Sequence, residues 1–364
     1  MPMKKRRIAV LFGGRSPEHQ VSLTSAVGVL RNIDRSLFDV IPVKITKQGQ
    51  WQYLEALDVP DTVKDLQGRG MPAFLTDPTG GGLLVNKGGT FTVVTIDGVF
   101  PVLHGPFGED GTVQGMIHMA GLPCVGAGVA GSALGMDKVL MKEIFLQEGL
   151  PAVDFIWFLR SKFSTNTKEI TAAVHREIGF PCFVKPSNGG SSVGITKVNT
   201  EAGLAAAVKE AAQYDRKILV EKNIDGRELE CAVLGNDDPQ ASAVGEILAA
   251  NEFYDYDAKY ENDASRTLTS PDIPETLKHT IQDLARQAFL ALDCAGMARV
   301  DFLYDQSGKE LYINEINTIP GFTPISMYPA LWEASGVSYT ELISRLIDLA
   351  FERFSDISRS KFVL

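Results

Sequence analysis

Cysteine is scarce in this chain of 364 residues: Cys124, Cys182, Cys231 and Cys294 stand far apart and form no C-x-x-C pair. That scarcity argues against a disulfide framework or a structural zinc site and leaves four packing thiols in a reducing compartment. Histidines number five, with no H-x-x-x-H spacing to offer a transition metal. No apolar run approaches the length that crosses a bilayer, and the run at 8–12 behind the basic start MPMKKRR is too short for a secretory core. Positive charge is in deficit: 35 Lys and Arg against 45 Asp and Glu leave a net charge of −10. Such a balance disfavours a nucleic-acid partner, so anionic ligands have to be met by local lysines, arginines and backbone N–H groups. Internal repeats and low-complexity tracts are also missing. The expectation is a cytoplasmic protein with small-molecule partners, large enough to bury a core without staples.

The chain organises into alternating elements. The apolar run 8–12 enters GGRSPEH, and 21–30 carries helical periodicity, so the opening is predicted as strand, glycine turn, helix. Further strands at 40–45 and 91–96 suggest an α/β domain with its glycine loop at the carboxyl edge of the sheet. Residues 101–104, followed by GPFGEDGTVQG, repeat the pattern, with a helix at 114–119. The Gly- and Ala-rich stretch 121–135 is expected to be a linker or a tight packing region, which places the first domain at 1–135. Strands at 154–159 and 183–184 bracket a helix near 171–178, and Thr200 is the capping candidate for a helix over 201–213. The segments 217–221, 229–234 and 243–248 are predicted as successive strands forming the core of a middle domain, largely antiparallel. The boundaries are 136–235 for that domain and 236–364 for the next. Residues 250–270 have charges and aromatics without a period and are expected to form a lid loop. Pro274 opens a helix to about 293, strands follow at 299–304 and 311–316, and helices close the chain after Ser326 and Ser338.

The segments ARVDFLYD and YINEIN are the most telling pair. Residues two apart on a strand share a face, so Arg299 sits with Asp301, and Glu315 with Asn317. If the strands are neighbours, three oxygen-bearing side chains meet one guanidinium, and hard oxygen donors suit magnesium; the alternative is a solvated strand edge. KPSNGGSSVG, 185–194, lacks P-loop order, yet its lysine, glycines and hydroxyls Ser191 and Ser192 are suited to cradling phosphate, unless it is an ordinary turn. Lys138 and Lys259 are further phosphate candidates. GGRSPEH is not a G-x-G-x-x-G fingerprint, which disfavours a dinucleotide. Glu18 belongs near a helix start, where the dipole alone stabilises a carboxylate, or it holds a substrate ammonium. His104 is the one histidine at a strand end inside a glycine loop. His118, His175 and His279 fall in helical contexts without a function, and His19 stays open.

Taken in order, LFGGRSPEHQVSLTSA, VLHGPFGEDGTVQG, MDK at 136–138, KPSNGGSSVG, VEK with Glu228, YDYDAKY, ARVDF and NEINTIPGFTPISMYP resemble the bacterial D-alanine:D-alanine ligases of the ATP-grasp superfamily. The resemblance runs over essentially the whole chain. It implies an α/β and α+β architecture in which two domains after the N-terminal one clasp ATP. The implied activity is ligation of two D-alanines through a D-alanyl phosphate, with ATP and two magnesium ions, manganese substituting, in a homodimer. Ligation to D-lactate or D-serine, or a non-catalytic nucleotide-binding protein, are the alternatives. By position, Glu221, Lys222 and the backbone at Ile224 meet adenine and Glu228 the ribose. Lys138, Lys185, Ser192 and Lys259 meet phosphates, and Asp301, Glu315 and Asn317 hold the metals. Glu18 takes the first substrate's ammonium and is linked through Ser191 to Tyr260 of the lid. Arg299 and the Gly321 N–H form the oxyanion hole, Ser326 grips the second carboxylate, His104 lies near the first substrate and Glu109 sets its loop. Tyr260 favours the dipeptide, Met327 sits beside the second subsite and bears on its choice, and Gln20 alters only loop packing.

Overall fold

The computed structural model of the chain describes residues 4–361 apart from Ala56, 249–265, Gln306 and Gly308. Strand β1 (Arg6–Gly13) has parallel neighbours on both edges, β2 (Phe38–Ile45) and β7 (Gly98–Val102), and is buried along residues 8–12 because Ile8, Val10 and Phe12 pack into one apolar cluster and Ala9 and Leu11 into another. The sheet then extends antiparallel through β3 (Trp51–Tyr53), β4 (Met71–Leu75), β5 (Gly82–Lys87) and β6 (Thr90–Thr95) in the order β6-β5-β4-β3-β2-β1-β7. At the end of β1, Gly13 turns the chain at a φ of 94°, where a Cβ would stand 2.2 Å from the Ile45 carbonyl. Helix α1 (His19–Asn32) starts there, as the glycine turn predicts.

Helices α2 (Thr112–Met119), α3 (Val129–Met136) and α4 (Lys138–Gln147) follow. The 121–135 stretch is therefore corrected from a possible linker: its second half is helical, and its glycines serve close approach. A Cβ on Gly131 would lie 2.5 Å from the Asp293 carbonyl, and one on Gly135 2.7 Å from Thr318.

The second sheet is fully antiparallel, in the order β10-β9-β11-β8, built from β8 (Phe155–Leu159), β9 (Cys182–Pro186), β10 (Thr196–Val198) and β11 (Lys217–Lys222). Helix α5 (Arg160–Ala173), a wider turn over Val174–Ile178 and α6 (Glu201–Ala211) pack an apolar layer on it. Thr200 occupies the cap position of α6, but its side chain makes no capping hydrogen bond.

The third sheet holds β12 (Arg227–Gly235), β13 (Gln240–Leu248), β14 (Arg266–Leu268), β15 (Gly296–Asp305) and β16 (Glu310–Asn317), ordered β14-β13-β12-β15-β16. This corrects the grouping of three successive strands into one middle core: the chain leaves the second sheet after β11, and β12 and β13 belong to the third. The loop expected over 250–270 is likewise corrected at its end, where β14 pairs with β13; Lys259 and Tyr260 lie outside the described residues. Helix α7 (Glu275–Ala291) covers one face of this sheet, burying Ile281, Ala285, Ala288 and Phe289. Helices α8 (Met327–Ala334) and α9 (Tyr339–Ile357) share a core with α1 and β1, and Phe322 meets Phe100 edge-on at 5.9 Å.

Candidate active site

β15 and β16 are antiparallel neighbours, with Arg299 opposite Asn317 and Asp301 opposite Glu315. The alternation that put Arg299 with Asp301, and Glu315 with Asn317, thus becomes one surface of four side chains. Glu230 of β12 lies opposite Asp301 from the other side and extends the row. Arg299 donates to both Asp301 oxygens, Nε to Oδ1 at 2.7 Å and Nη2 to Oδ2 at 2.6 Å, and its Nε lies 3.2 Å from Glu230. Burial opposes the guanidinium charge, but Asp301 and Glu230 outweigh it and hold its pKa well above the ordinary value.

Above this face stands Lys138, the first residue of α4. Its Nζ is 3.1 Å from Glu315 Oε2 and donates to the Gly189 carbonyl at 2.8 Å. Burial works against the ammonium, yet the Glu315 carboxylate raises its pKa. One lysine therefore ties the third sheet to the glycine loop that follows β9. The stem of that loop is pinned as well: Ser187 Oγ donates to Asp137 at 2.6 Å, and Asn188 donates to Asp215 through its backbone and its amide, each at 2.8 Å. At its tip, Ser191 and Ser192 take left-handed φ values of 49° and 60°, a conformation costly to L residues, while the Val193 N–H donates to the Gly190 carbonyl at 3.2 Å, as in a type I′ turn.

Glu18 reaches the same loop from the N-terminal sheet. It stands at the cap position of α1 without a capping bond, and its carboxylate instead accepts a hydrogen bond from Ser191 Oγ. Two glycines make room for it: a Cβ on Gly105 would lie 2.4 Å, and one on Gly190 2.6 Å, from Glu18 Oε2. Glu109 accepts from the Gly105 N–H at 2.8 Å and so does shape that loop, while its second oxygen is buried without a hydrogen bond. Burial, reinforced by the Glu18 charge, pushes the Glu109 carboxyl up to about 8.

The three sheets thus meet around the glycine loop, and comparison with known proteins bears on what such a meeting is. Models for the D-ala D-ala ligase N-terminus and C-terminus match residues 7–127 and 140–348. The chain is 47% identical to the D-alanine--D-alanine ligase of Ruminiclostridium cellulolyticum, covering 98% of each. The chain belongs to the D-alanine–D-alanine ligase family. Among solved structures, the ligase from Coxiella burnetii superposes with a TM-score of 0.82 at 34% identity over 98% of this chain and 96% of that one. The VanG D-Ala:D-Ser ligase from Enterococcus faecalis does so with 0.85 at 37% identity over 95% and 100%. The architecture is the ATP-grasp fold, which in general works with ATP and a divalent metal.

The other residues marked by resemblance to the ligase family are distributed unevenly. Gly321 and Ser326 are adjacent in space, a Cβ on the glycine falling 2.6 Å from Ser326 Oγ, which also accepts from the Thr323 N–H at 3.0 Å. Lys222 and Ile224 line a groove of about 630 Å³ together with Arg227 and Tyr312. Glu221, its neighbour on β11, points to the opposite side, as alternation requires, and lies 2.9 Å from Lys185 Nζ. Glu228 shares the β12 face of Glu230. Both ring nitrogens of His104 are taken, Nδ1 by the Ile319 carbonyl at 3.0 Å and Nε2 by Ser25 Oγ at 3.1 Å, and the ring stands near enough to Glu18 to feel its charge. Met327, directly after Ser326, is buried in the shared core, its methyl where a Cβ on Gly245 would go.

Two residues were missed. Lys142, fully buried on α4, lies 3.0 Å from Glu221 Oε2, and Glu230 completes the Arg299 cluster. Positions 138, 141, 142 and 145 trace the i, i+3, i+4, i+7 stripe of a buried helix face, which is the signal that would have found Lys142. As for metal, Asp301, Glu315 and Asn317 are hard oxygen donors on one strand pair and fit a magnesium-like ion in kind. Their oxygens are held by protein donors: Arg299, Lys138 and, for Asn317 Oδ1, the Ile319 N–H at 3.1 Å. Among the described residues no group of three or more His, Cys, Asp or Glu is arranged as a metal site, and no helix is long and apolar enough to cross a membrane.

Proposed function

We propose that the protein joins two D-alanine molecules into D-alanyl-D-alanine at the expense of ATP, acting as a homodimer in the cytoplasm. The observation that carries this reading is the meeting of Glu18, Ser191, Lys138 and Glu315, which brings an ammonium-binding carboxylate, a phosphate-type loop and an oxygen-donor face into one site. Near half identity to D-alanine--D-alanine ligases along almost the whole chain supports it.

Glu18 holds the ammonium of the first D-alanine, and Ser191 fixes the carboxylate that does so. One carboxylate oxygen of that substrate attacks the γ-phosphorus, the bond to the bridging oxygen breaks, and ADP leaves. Lys138, Lys185 and Ser192 hold phosphate oxygens, and positioning with charge neutralisation is most of what such a transfer needs. Asp301, Glu315 and Asn317 would hold the two divalent ions, which would supply neutralisation of phosphate charge. The amine of the second D-alanine then attacks the carbonyl carbon of the D-alanyl phosphate. Arg299 and the Gly321 N–H stabilise the oxyanion, Ser326 holds the second carboxylate, and phosphate departs as the hydrogen phosphate, carrying the proton that the attacking nitrogen gives up. Glu221 and the backbone at Lys222 and Ile224 serve adenine, and Glu228 the ribose. Lys259 and Tyr260 complete the phosphate and ammonium contacts from outside the described residues.

Incubation of the protein with ATP, magnesium and D-alanine tests the reading, with phosphate release and product identity followed together. D-alanine-dependent phosphate and a D,D-dipeptide are expected; bound ATP without such turnover overturns the ligase reading. The likeness to the Enterococcus faecalis D-Ala:D-Ser ligase favours a second reading, ligation to D-serine. Predominance of the mixed product from equal D-alanine and D-serine at neutral pH would establish it.

A further inference from the structure

Three charged side chains form a closed set beneath the glycine loop. Glu221, the fifth residue of β11, offers Oε1 to Lys185 Nζ at 2.9 Å and Oε2 to Lys142 Nζ at 3.0 Å, the second without the angle of a hydrogen bond. The set is graded in access. Lys142 and Glu221 side chains are 1% and 2% exposed, whereas Lys185, at 10%, sits two residues before Ser187 in the stem of the loop. Burial pushes the Lys142 ammonium below its ordinary pKa; burial also opposes charge on Glu221, but Lys142 and Lys185 together hold that carboxyl low. Only Lys185 is placed to meet an anion from outside. If it turned to a phosphate oxygen with Glu221 otherwise unpaired, a carboxylate would be stranded in the interior, where an uncompensated charge is costly.

We propose that Lys142 is a positioning residue for ATP: it stays on Glu221 as a fixed counter-ion, so that Lys185 can exchange its carboxylate partner for a phosphate without leaving a bare buried charge. This rests on the ATP-site reading above. Lys142 touches no ligand in this scheme and acts through Glu221 alone. With Lys142 gone, Lys185 is the one cation left within ion-pair distance of the carboxylate among the described residues, and nucleotide has to compete for it.

The prediction is a dependence of one residue on another. Binding of ATP with magnesium, measured by calorimetry without D-alanine, should weaken about ten- to a hundredfold in Lys142→Met, the range of one hydrogen bond to a charged group. Glu221→Gln keeps an acceptor oxygen but removes the charge, so the double variant Lys142→Met/Glu221→Gln should bind ATP within about threefold of Glu221→Gln alone. A residue that merely props up the core would lower affinity and melting temperature in parallel in both backgrounds. A folded Lys142→Met variant with the native affinity overturns the proposal, as does a further tenfold loss in the double variant relative to Glu221→Gln. The latter comparison stands even where Lys142→Met alone does not fold. Lys185→Met separates the two readings: unchanged ATP affinity there removes the phosphate role of Lys185 itself, whatever Lys142 does.

Discussion

Asp301 faces Arg299 from two residues along the same strand and receives both of its forked donors, at 2.7 and 2.6 Å. The contact is bidentate, the strong form of a carboxylate–guanidinium pair. An ion that takes Asp301 therefore takes it from Arg299, and Glu230, at 3.2 Å, remains as the arginine's partner. On the proposed mechanism, the same strand would serve phosphate charge and acyl oxygen in turn.

Asp301→Ala and Glu315→Ala should separate chemistry from folding. Arg299 keeps Glu230 in the first variant and Lys138 keeps the Gly189 carbonyl in the second, so stability should fall by only about 1–3 kcal/mol. Turnover should fall on the order of a hundredfold or more, because stabilisation of developing charge is the largest single contribution to such steps. Phosphate release and thermal unfolding measured on the same samples decide it. Native turnover in Glu315→Ala would take that residue out of the site.

The loop contact of Glu18 leads to a different signature. Ser191→Ala removes a hydroxyl donor to one oxygen of the carboxylate, and Gly190→Ala puts a methyl 2.6 Å from the other. Both should raise the KM for the first D-alanine roughly tenfold to a hundredfold, the range for hydrogen bonds to charged groups, with little change in the KM for ATP. An effect on ATP alone would mean that the loop touches nucleotide and not the ammonium site.

Glu109 should make stability depend on pH in an unusual sense. Its carboxyl, ordinarily near 4.5, is pushed up to about 8 by burial and by Glu18. Between those values the unfolded chain has lost the proton and the folded chain keeps it. Stability therefore falls as pH rises through that window, by up to about 1.4 kcal/mol per pH unit. Glu109→Gln, which imitates the protonated acid, should flatten the slope between pH 5 and 8 in denaturant titrations. An unchanged slope would place the charge elsewhere.

How far the sequence led can be seen in individual elements. The Asp301–Glu315 face was legible because strand alternation is strict, and two segments with matching alternation have few ways to meet. Strands 229–234 and 243–248 were recognised but grouped with the wrong sheet, since consecutive strands usually pair and Asn223–Gly226 gives no warning that the chain changes layers. Helix α3 was obscured by Gly131 and Gly135, which lower helix propensity and are needed because other backbone lies against them. Lys142 was passed over because a lysine in a helix is ordinarily solvated, and only its place on the buried stripe marks it otherwise. For Met327 and His104 the motif marked the positions, while their packing against the shared core and the Ile319 carbonyl depends on segments far away in the chain.

His104 provides a last prediction, opposite in sign to that of Glu109. The Ile319 carbonyl can only accept, so Nδ1 carries the proton and Nε2 takes the Ser25 hydroxyl, whose oxygen in turn accepts from the Phe322 N–H at 3.1 Å. That chain needs a neutral ring, and burial pushes the imidazole below its ordinary 6.5 despite the nearby Glu18 charge. As pH falls below 6.5 the unfolded chain takes up a proton that the folded ring resists, so this group's contribution to stability is present above 6.5 and lost as pH falls through the folded value. Glu109 gains over the same interval, and in the native protein the two slopes oppose each other. His104→Gln should leave Glu109 to dominate, giving a protein whose stability climbs more steeply on acidification from pH 6.5 to 5 than the native protein's does. A slope identical to the native one would mean that the ring already carries its second proton when folded, and the assigned hydrogen-bond chain would be wrong.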